Sequence, residues 1–339
     1  MRVLLIYNPT AGDGVASQLR ELVDLIEVAG HEVLCRSSKD PLIKAALADP
    51  GDLVAVAGGD GTVVKVARAL RGRKTAIAPL ALGTANNIAT ALGLAHASLE
   101  ARVLGWSDAR AIEIDLGVVR GPHGVRAFLE SFGAGLLPRL MDKCKDADGD
   151  EGDADARLAR AVTCARQTAE RLRPRKLQVT LDGQDLSGRY LLLEAMNIGW
   201  AGPNLNLATG ADPADGQLDV VLVGEDERAL LVECLRACER REPWPHALPT
   251  ARGRRLCVGG GDFQVHVDDE VWDAGRVSKQ SAIEVSLGES VRFLGPPAHP
   301  DKAREAETDS PMRAERAPRA AVKPKRWAWP AGRQARFRR

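Results

Sequence analysis

From residue 1 to residue 110 short apolar runs alternate with helix-patterned stretches, and this alternation constrains the fold more than any other feature of the chain. Residues 3–7 read as a strand, and 15–29 as a helix with Leu19, Leu22, Val23 and Ile26 on one face. Strands follow at 32–36 and 53–57, a helix at 62–70, a strand at 75–78 and a helix at 86–92. Strands that are apolar at every position must be covered on both faces, and helices between them let each strand return parallel to the last. The expectation is an α/β N-terminal lobe built on a parallel sheet.

After residue 115 the pattern changes. Strands are expected at 127–132, 177–181, 189–197, 218–223, 255–258, 263–267 and 282–286, with helices at 154–172 and 227–240. Many strands with little helix between them indicate a β-rich C-terminal lobe, an antiparallel sandwich with an open barrel as the alternative. The expected division is 1–114 for the α/β lobe, 115–284 for the β-rich lobe, with 285–296 a candidate to return to the first, and 300–339 as a disordered basic tail.

Composition limits the class of protein. The 339 residues are 45% hydrophobic but only 4% aromatic, so Val, Leu, Ile and Ala must build the core. This excludes a disordered chain, a collagen and a disulfide-dense module. No window reaches the ~18 apolar residues of a membrane span, and the run at 3–7 is too short for a signal peptide core. Scattered cysteines suggest a cytoplasmic protein, with peripheral attachment at the inner face of the membrane left open. The formal charge of +1 is a sum of opposites. Residues 301–339 hold 12 Lys and Arg against 5 acids, while seven acids fall within 142–155. The tail reads as a contact for an anionic membrane or as a solvated extension; nucleic acid is not expected. A homodimer is left open.

Chemistry is expected beyond the carboxyl ends of the parallel strands. Three glycine-rich turns lie there: Asn8-Pro9-Thr10-Ala11-Gly12, Gly58-Gly59-Asp60-Gly61-Thr62, and Leu82-Gly83-Thr84-Ala85-Asn86. Glycine permits close backbone approach, and each following helix N-terminus presents free N–H groups to an anion. Together they form a polyphosphate cradle without a lysine. Asp60 inside such a cradle demands a divalent cation or a proton-transfer role. There is no P-loop signature, and a dinucleotide reading of Gly12-Asp13-Gly14-Val15-Ala16-Ser17 leaves the other two turns unexplained.

These turns resemble the N-lobe motifs of the diacylglycerol kinase catalytic-domain family, whose first lobe is like that of NAD kinases. Asn197-Ile198-Gly199, Asp215-Gly216-Gln217-Leu218-Asp219 and Val267-Asp268-Asp269-Glu270 are similar to its later motifs. The resemblance implies an ATP- and Mg²⁺-dependent lipid kinase acting on a hydroxyl of diacylglycerol or a related membrane lipid. It implies that Asn8, Gly12, Gly58, Gly59, Gly61, Thr62, Gly83, Thr84 and Asn86 surround ATP, and that Asp60, Asp268 and Asp215 hold metal. Glu270 is implied as general base, with Asp268 and Asp60 as its catalytic companions. Three departures stand out, one being the run Leu207-Ala208-Thr209, which lacks the proline usual before the Asp215 motif. Ala81 occupies the place of a proline, and Asp269 that of a glycine, adding charge and removing a residue at ease with positive φ. An NAD kinase-like phosphotransferase and a non-catalytic nucleotide- or lipid-sensing relative remain as alternatives.

Overall fold

The computed structural model describes residues 1–9, 15–122, 124–145, 153–261, 263–272 and 282–297. Gly12, half of the acidic stretch (146–152) and the whole basic tail lie outside the described residues. The first lobe runs β1 (Arg2–Tyr7), α1 (Val15–Val28), β2 (Glu32–Ser37), α2 (Ile43–Ala48), β3 (Leu53–Ala57), α3 (Asp60–Leu70), β4 (Ala76–Pro79), α4 (Asn87–Ala91) and α5 (Leu99–Leu104). Its strands are parallel in the order β2-β1-β3-β4.

Alternate residues of these strands feed two cores. Leu4, Ile6, Val54 and Val56 pack with Ile43, Val63 and Ile88 on one face. Val3, Leu5 and Ala55 pack with Leu22, Ile26, Val103 and Trp106 on the other. Each such side chain contributes about 1.5–3 kcal/mol when fully buried, which is why the central strand β3 carries no polar position, whereas the edge strand β2 holds Glu32, Arg36 and Ser37.

The chain continues through β5 (Ala109–Gly121), β6 (Gly124–Phe128), β7 (Ser131–Gly135), α6 (Leu136–Lys145), α7 (Ala154–Arg171), β8 (Arg175–Leu181), β9 (Gln184–Asp185) and β10 (Gly188–Met196). It ends with β11 (Leu218–Gly224), α8 (Arg228–Glu239), β12 (Thr250–Gly253), β13 (Arg255–Gly259), β14 (Val265–Val267), β15 (Glu270–Trp272) and β16 (Ile283–Pro297). One β layer is ordered β15-β14-β7-β10-β11-β12, the other β6-β5-β16-β13-β8-β9. Phe132, Leu193, Val220 and Val265 of the first meet Val119, Phe128, Val179, Val258 and Val285 of the second. Helices α6, α7 and α8 cover the outer face of the first layer through Leu136, Leu140, Val162, Ala165, Leu231 and Leu235. The side chain of Asp153 caps α7, accepting from Ala156 N at 2.8 Å. The fold is thus the α/β lobe plus β-rich lobe that the sequence pattern implies.

Two expectations are corrected. The expected boundary at 114/115 falls inside β5, a single strand of 13 residues. That strand pairs antiparallel with β16, and β16 also pairs with β13 and, through Phe293↔Ile77, parallel with β4. The lobes therefore share strands. The expected strand at 127–132 divides into β6 and β7, because the backbone amides of Leu129 and Glu130 leave the ladder to bind the carboxylate of Asp268. Among the described residues no helix is long and apolar enough to cross a membrane.

Candidate active site

The site is built on the turns that follow β3 and β4. Gly59 precedes the first residue of α3 with extended φ −89° and ψ −175°, so the chain passes directly from strand to helix. Leu82 N donates to Gly58 O at 3.1 Å, tying the second turn to the first. Asn86 closes that second turn on itself. Its Nδ2 donates to Gly83 O and its Oδ1 accepts from Gly83 N, both at 2.9 Å, with Asn86 at φ +54°. Asn86 thereby shapes the loop, with both of its side-chain polar atoms bonded to Gly83. Ala81 adopts φ +53°, which a proline ring forbids, so the departure at this position changes the path of the turn. Asn8 stands at the end of β1, its amide donating to Ala57 O at 3.0 Å. Gly58 and Thr62 are packed together, and Thr84 is exposed at the tip of its turn.

Asp60 faces the second turn. Its Oδ1 accepts from Ile88 N and its Oδ2 from Asn87 N, each at 3.0 Å, capping α4. Burial raises its pKa, the amides of Ile88, Asn87 and Asn86 hold it back, and Asp269 adds to the rise.

The second lobe supplies the remaining acids through the β14–β15 hairpin, in which Val267 pairs with Glu270. Asp269 leans over the first turn: a Cβ on Gly61 would lie 2.6 Å from its Oδ2. Asp269 keeps solvent contact, yet the protein crowding its carboxyl raises its pKa, as does Glu270 beside it. Glu270 is exposed and ion-paired with Arg126 of β6. The positive φ in this turn belongs to Asp268, at +54°, so aspartate at 269 meets no backbone strain.

Asp268 itself is wholly enclosed. Oδ1 accepts from Leu129 N at 3.0 Å and Glu130 N at 2.8 Å, and Oδ2 from Arg68 Nη2 at 2.7 Å. Its pKa is raised by burial to about 6, with Arg68 opposing. A carboxylate so enclosed and so fully bonded has no face for a metal. Asp215 is not free either. It is ion-paired with Arg252 and accepts from Gln217 N at 2.9 Å. The three carboxylates expected as metal ligands are thus not gathered into one group. Among the described residues no three His, Cys, Asp or Glu side chains stand close enough together to hold an ion.

Three participants are absent from the sequence reading. Glu130 is buried behind the turn and accepts from Asn87 Nδ2 at 3.0 Å. Its carboxyl is pushed well above the usual range by burial, then by Asp60 and Asp268. Asn87 also donates to Gly202 O at 3.0 Å, bridging the lobes. Arg68 reaches from α3 to Asp268 and, through Nε, to Ala127 O at 2.8 Å. Only Asn87 had a signal, as the second asparagine after Gly83-Thr84-Ala85.

Comparison with known proteins decides the family. The model for the diacylglycerol kinase catalytic domain matches residues 2–119, and that for the YegS C-terminal NAD kinase beta sandwich-like domain matches 153–277. The chain is 30% identical over 236 residues to the "Probable lipid kinase YegS-like" protein of Klebsiella pneumoniae, covering 66% of this chain and 74% of that one. The chain belongs to the diacylglycerol kinase catalytic-domain family. Another relative in this kinase family, a diacylglycerol kinase of Mycobacterium tuberculosis, is 26% identical over 246 residues, 68% of this chain and 76% of that one. A solved diacylglycerol kinase of Bacillus anthracis shares the fold with TM-score 0.64 at 20% identity, covering 88% of this chain and 98% of its own. Within the kinase family's two-lobe plan, the cleft described above lies where the glycine turns of the first lobe meet the acidic hairpin of the second.

Proposed function

We propose that this lipid kinase transfers the γ-phosphate of ATP, with Mg²⁺, to a hydroxyl of diacylglycerol or a related lipid. The observation that carries the reading is the approach of Asp269 to Gly61, which sets an acidic hairpin from the β-rich lobe directly over a glycine turn. Phosphoryl transfer needs a held phosphate chain, an in-line hydroxyl and a carboxylate to take its proton. Asn8, Gly58, Gly59, Gly61, Thr62, Gly83 and Thr84 are proposed to line the phosphates, with Gly12 as a further contact from the segment after β1.

The donor set fits Mg²⁺. Asp60 and Asp269 offer hard oxygen donors, and Mg²⁺ is usually held by one or two carboxylates together with substrate phosphates and water. When bound, the ion neutralises phosphate charge. Asp268 drops out of that set because its side chain is wholly enclosed and holds three donors, and Asp215 because Arg252 already neutralises it. Each Asp60 oxygen accepts one amide and keeps a second lone pair. Glu270 is proposed to take the acceptor proton, with Arg126 fixing its direction. Arg68 and Asp268 hold the hairpin against α3.

The test is transfer of radiolabelled phosphate from ATP to a lipid panel, with NAD as a parallel acceptor. Labelled phosphatidic acid or a related phospholipid is expected. Labelled NADP would favour the NAD kinase-like alternative, and ATP binding without any product would favour a sensor. Glu270→Gln and Asp60→Ala that turn over as the wild type would refute the assigned roles.

A further inference from the structure

Behind the acidic hairpin lies a polar pair that the proposed reaction leaves unused. Glu194 of β10 and His266 of β14 have side chains only 0% and 1% exposed. Their strands do not pair with each other, because β7 runs between them. Register sets Glu194 opposite Gly133, and Gly133 opposite His266, so the three form one row across the layer. Neighbouring strands lie about 4.8 Å apart, so the ends of such a row are separated by roughly 10 Å of backbone. The glycine in the middle leaves a slot. A Cβ on Gly133 would fall 2.1 Å from the carboxyl carbon and both oxygens of Glu194. Through that slot Glu194 Oε2 reaches His266 Nε2 at 2.9 Å.

The other ring nitrogen fixes the tautomer. His266 Nδ1 lies 2.8 Å from the carbonyl oxygen of Asp268. A carbonyl oxygen only accepts, so Nδ1 carries a proton and donates it. A second proton is shared between Nε2 and Glu194. Whichever of the two holds it, both hydrogen bonds persist and the pair has no net charge, which avoids the penalty of a lone buried ion.

What the pair grips is the strained residue of the hairpin. A non-glycine residue at φ +54° persists only where its surroundings over-determine it. Asp268 is held by its amide, which donates to Ser131 O at 2.9 Å, and by its carboxylate. Its carbonyl belongs to the peptide that leads into Asp269, and among the described residues His266 is the side chain that grips that end. Rotation of this peptide would swing Asp269 off Gly61.

We propose that Glu194 and His266 are a positioning pair that locks the Asp268–Asp269 peptide and so aims Asp269 and Glu270 into the cleft. The proposal rests on the reading of that cleft as a phosphotransfer site, and neither side chain touches the reactants.

The test compares the full chain with Glu194→Gln, Glu194→Leu, His266→Phe and Gly133→Ala, reading lipid phosphorylation and hydrogen–deuterium exchange of the hairpin amides. Glutamine donates to Nε2 while Nδ1 stays protonated, so Glu194→Gln should keep kcat within threefold and leave exchange unchanged. Glu194→Leu and His266→Phe should speed hairpin exchange at least tenfold and lower kcat 10- to 100-fold, with KM for ATP within twofold. Gly133→Ala closes the slot and should do the same if His266→Phe fails to fold. Unchanged exchange in a folded variant overturns the proposal. So does faster exchange with unaltered kcat, or a kcat loss matched by an equal rise in KM. If the wild type phosphorylates no lipid, the reading of the cleft fails instead, and the exchange comparison alone decides whether the pair holds the hairpin.

Discussion

Gly59 and Gly83 meet backbone to backbone: a Cβ built on Gly83 falls 2.4 Å from Gly59 Cα, and one built on Gly59 falls 3.1 Å from Gly83 Cα. The second and third glycine turns are therefore a single surface with no room for a methyl group between them. Overpacking of this kind costs about 1–3 kcal/mol. Gly83→Ala is expected to weaken ATP binding at least tenfold by calorimetric titration while far-UV circular dichroism stays native. Unchanged affinity would mean that the two turns are not one ligand surface.

Asp60 both faces the cleft and caps α4. Asparagine keeps its size but must turn an NH₂ toward the amide of Asn87 or Ile88. The lost cap is worth about 1 kcal/mol, a fall of a few degrees in Tm. Phosphate transfer should fall far more, at least 100-fold, because a charged donor is removed from the cleft. A variant retaining a tenth of wild-type turnover would reduce Asp60 to its capping role.

Arg68→Met strips the guanidinium from a buried carboxylate, a change that costs about 3 kcal/mol. The loss should depend on pH. Asp268 titrates at about 6 in the folded chain against an ordinary 3.8, so the folded state holds this proton more tightly than the unfolded one. Stability from this group is highest when it is protonated in both states, and falls as pH rises through the interval from about 4 to 6. Removing Arg68 moves the upper limit higher still. Urea denaturation should therefore show wild type and variant converging near pH 4 and separating by pH 8. A constant gap would contradict the pairing.

Glu130 has the opposite remedy. Its raised carboxyl is a burden that grows as pH climbs above the unfolded value of 4.5. Glutamine keeps the acceptor for Asn87 and sheds the charge. Glu130→Gln should raise Tm at pH 8, with the gain vanishing near pH 4, as followed by thermal denaturation across that range. Equal Tm values throughout would mean that Glu130 carries no electrostatic strain.

The basic tail is testable by deletion. Residues 316–339 hold nine Lys and Arg and no acid. Each cation near an anionic bilayer contributes about 1 kcal/mol. A chain ending at residue 299 should lose binding to phosphatidylglycerol vesicles in sedimentation and keep turnover on a short-chain soluble diacylglycerol. Unaltered sedimentation would leave the tail a solvated extension.

The first lobe was legible because its inner strands are apolar almost throughout and its turns are marked by glycine. Leu53–Ala57 is a case in which pattern and structure share both ends. The acids of the site were less so, and for one reason. Sequence motifs report which residues come near the cleft, but not which of their oxygens are already bonded. Asp268 and Asp269 are neighbours in the same motif, yet one is enclosed by Leu129, Glu130 and Arg68 while the other leans over Gly61. Glu130 gave no signal, since a single acid in an apolar run reads as the wet face of a strand. Its partner Asn87 lies 43 residues away. Glu194 and His266 are hidden in the same way, linked only through a register that no local period encodes.

The sharing of β16 between the lobes bears on how the chain can be made. Phe293 pairs with Ile77, and β16 with β5, across most of the length of the chain. A ribosome releases residues 1–104 early, but the strand that covers the outer side of β4 emerges only after the β-rich lobe has been synthesised. Until then β4 is an open edge of the kind that invites pairing with other chains. N-terminal-first folding is thus incomplete for this lobe. Its final sealing is a long-range step that is expected to be slow, and fragments ending before β16 should aggregate through β4.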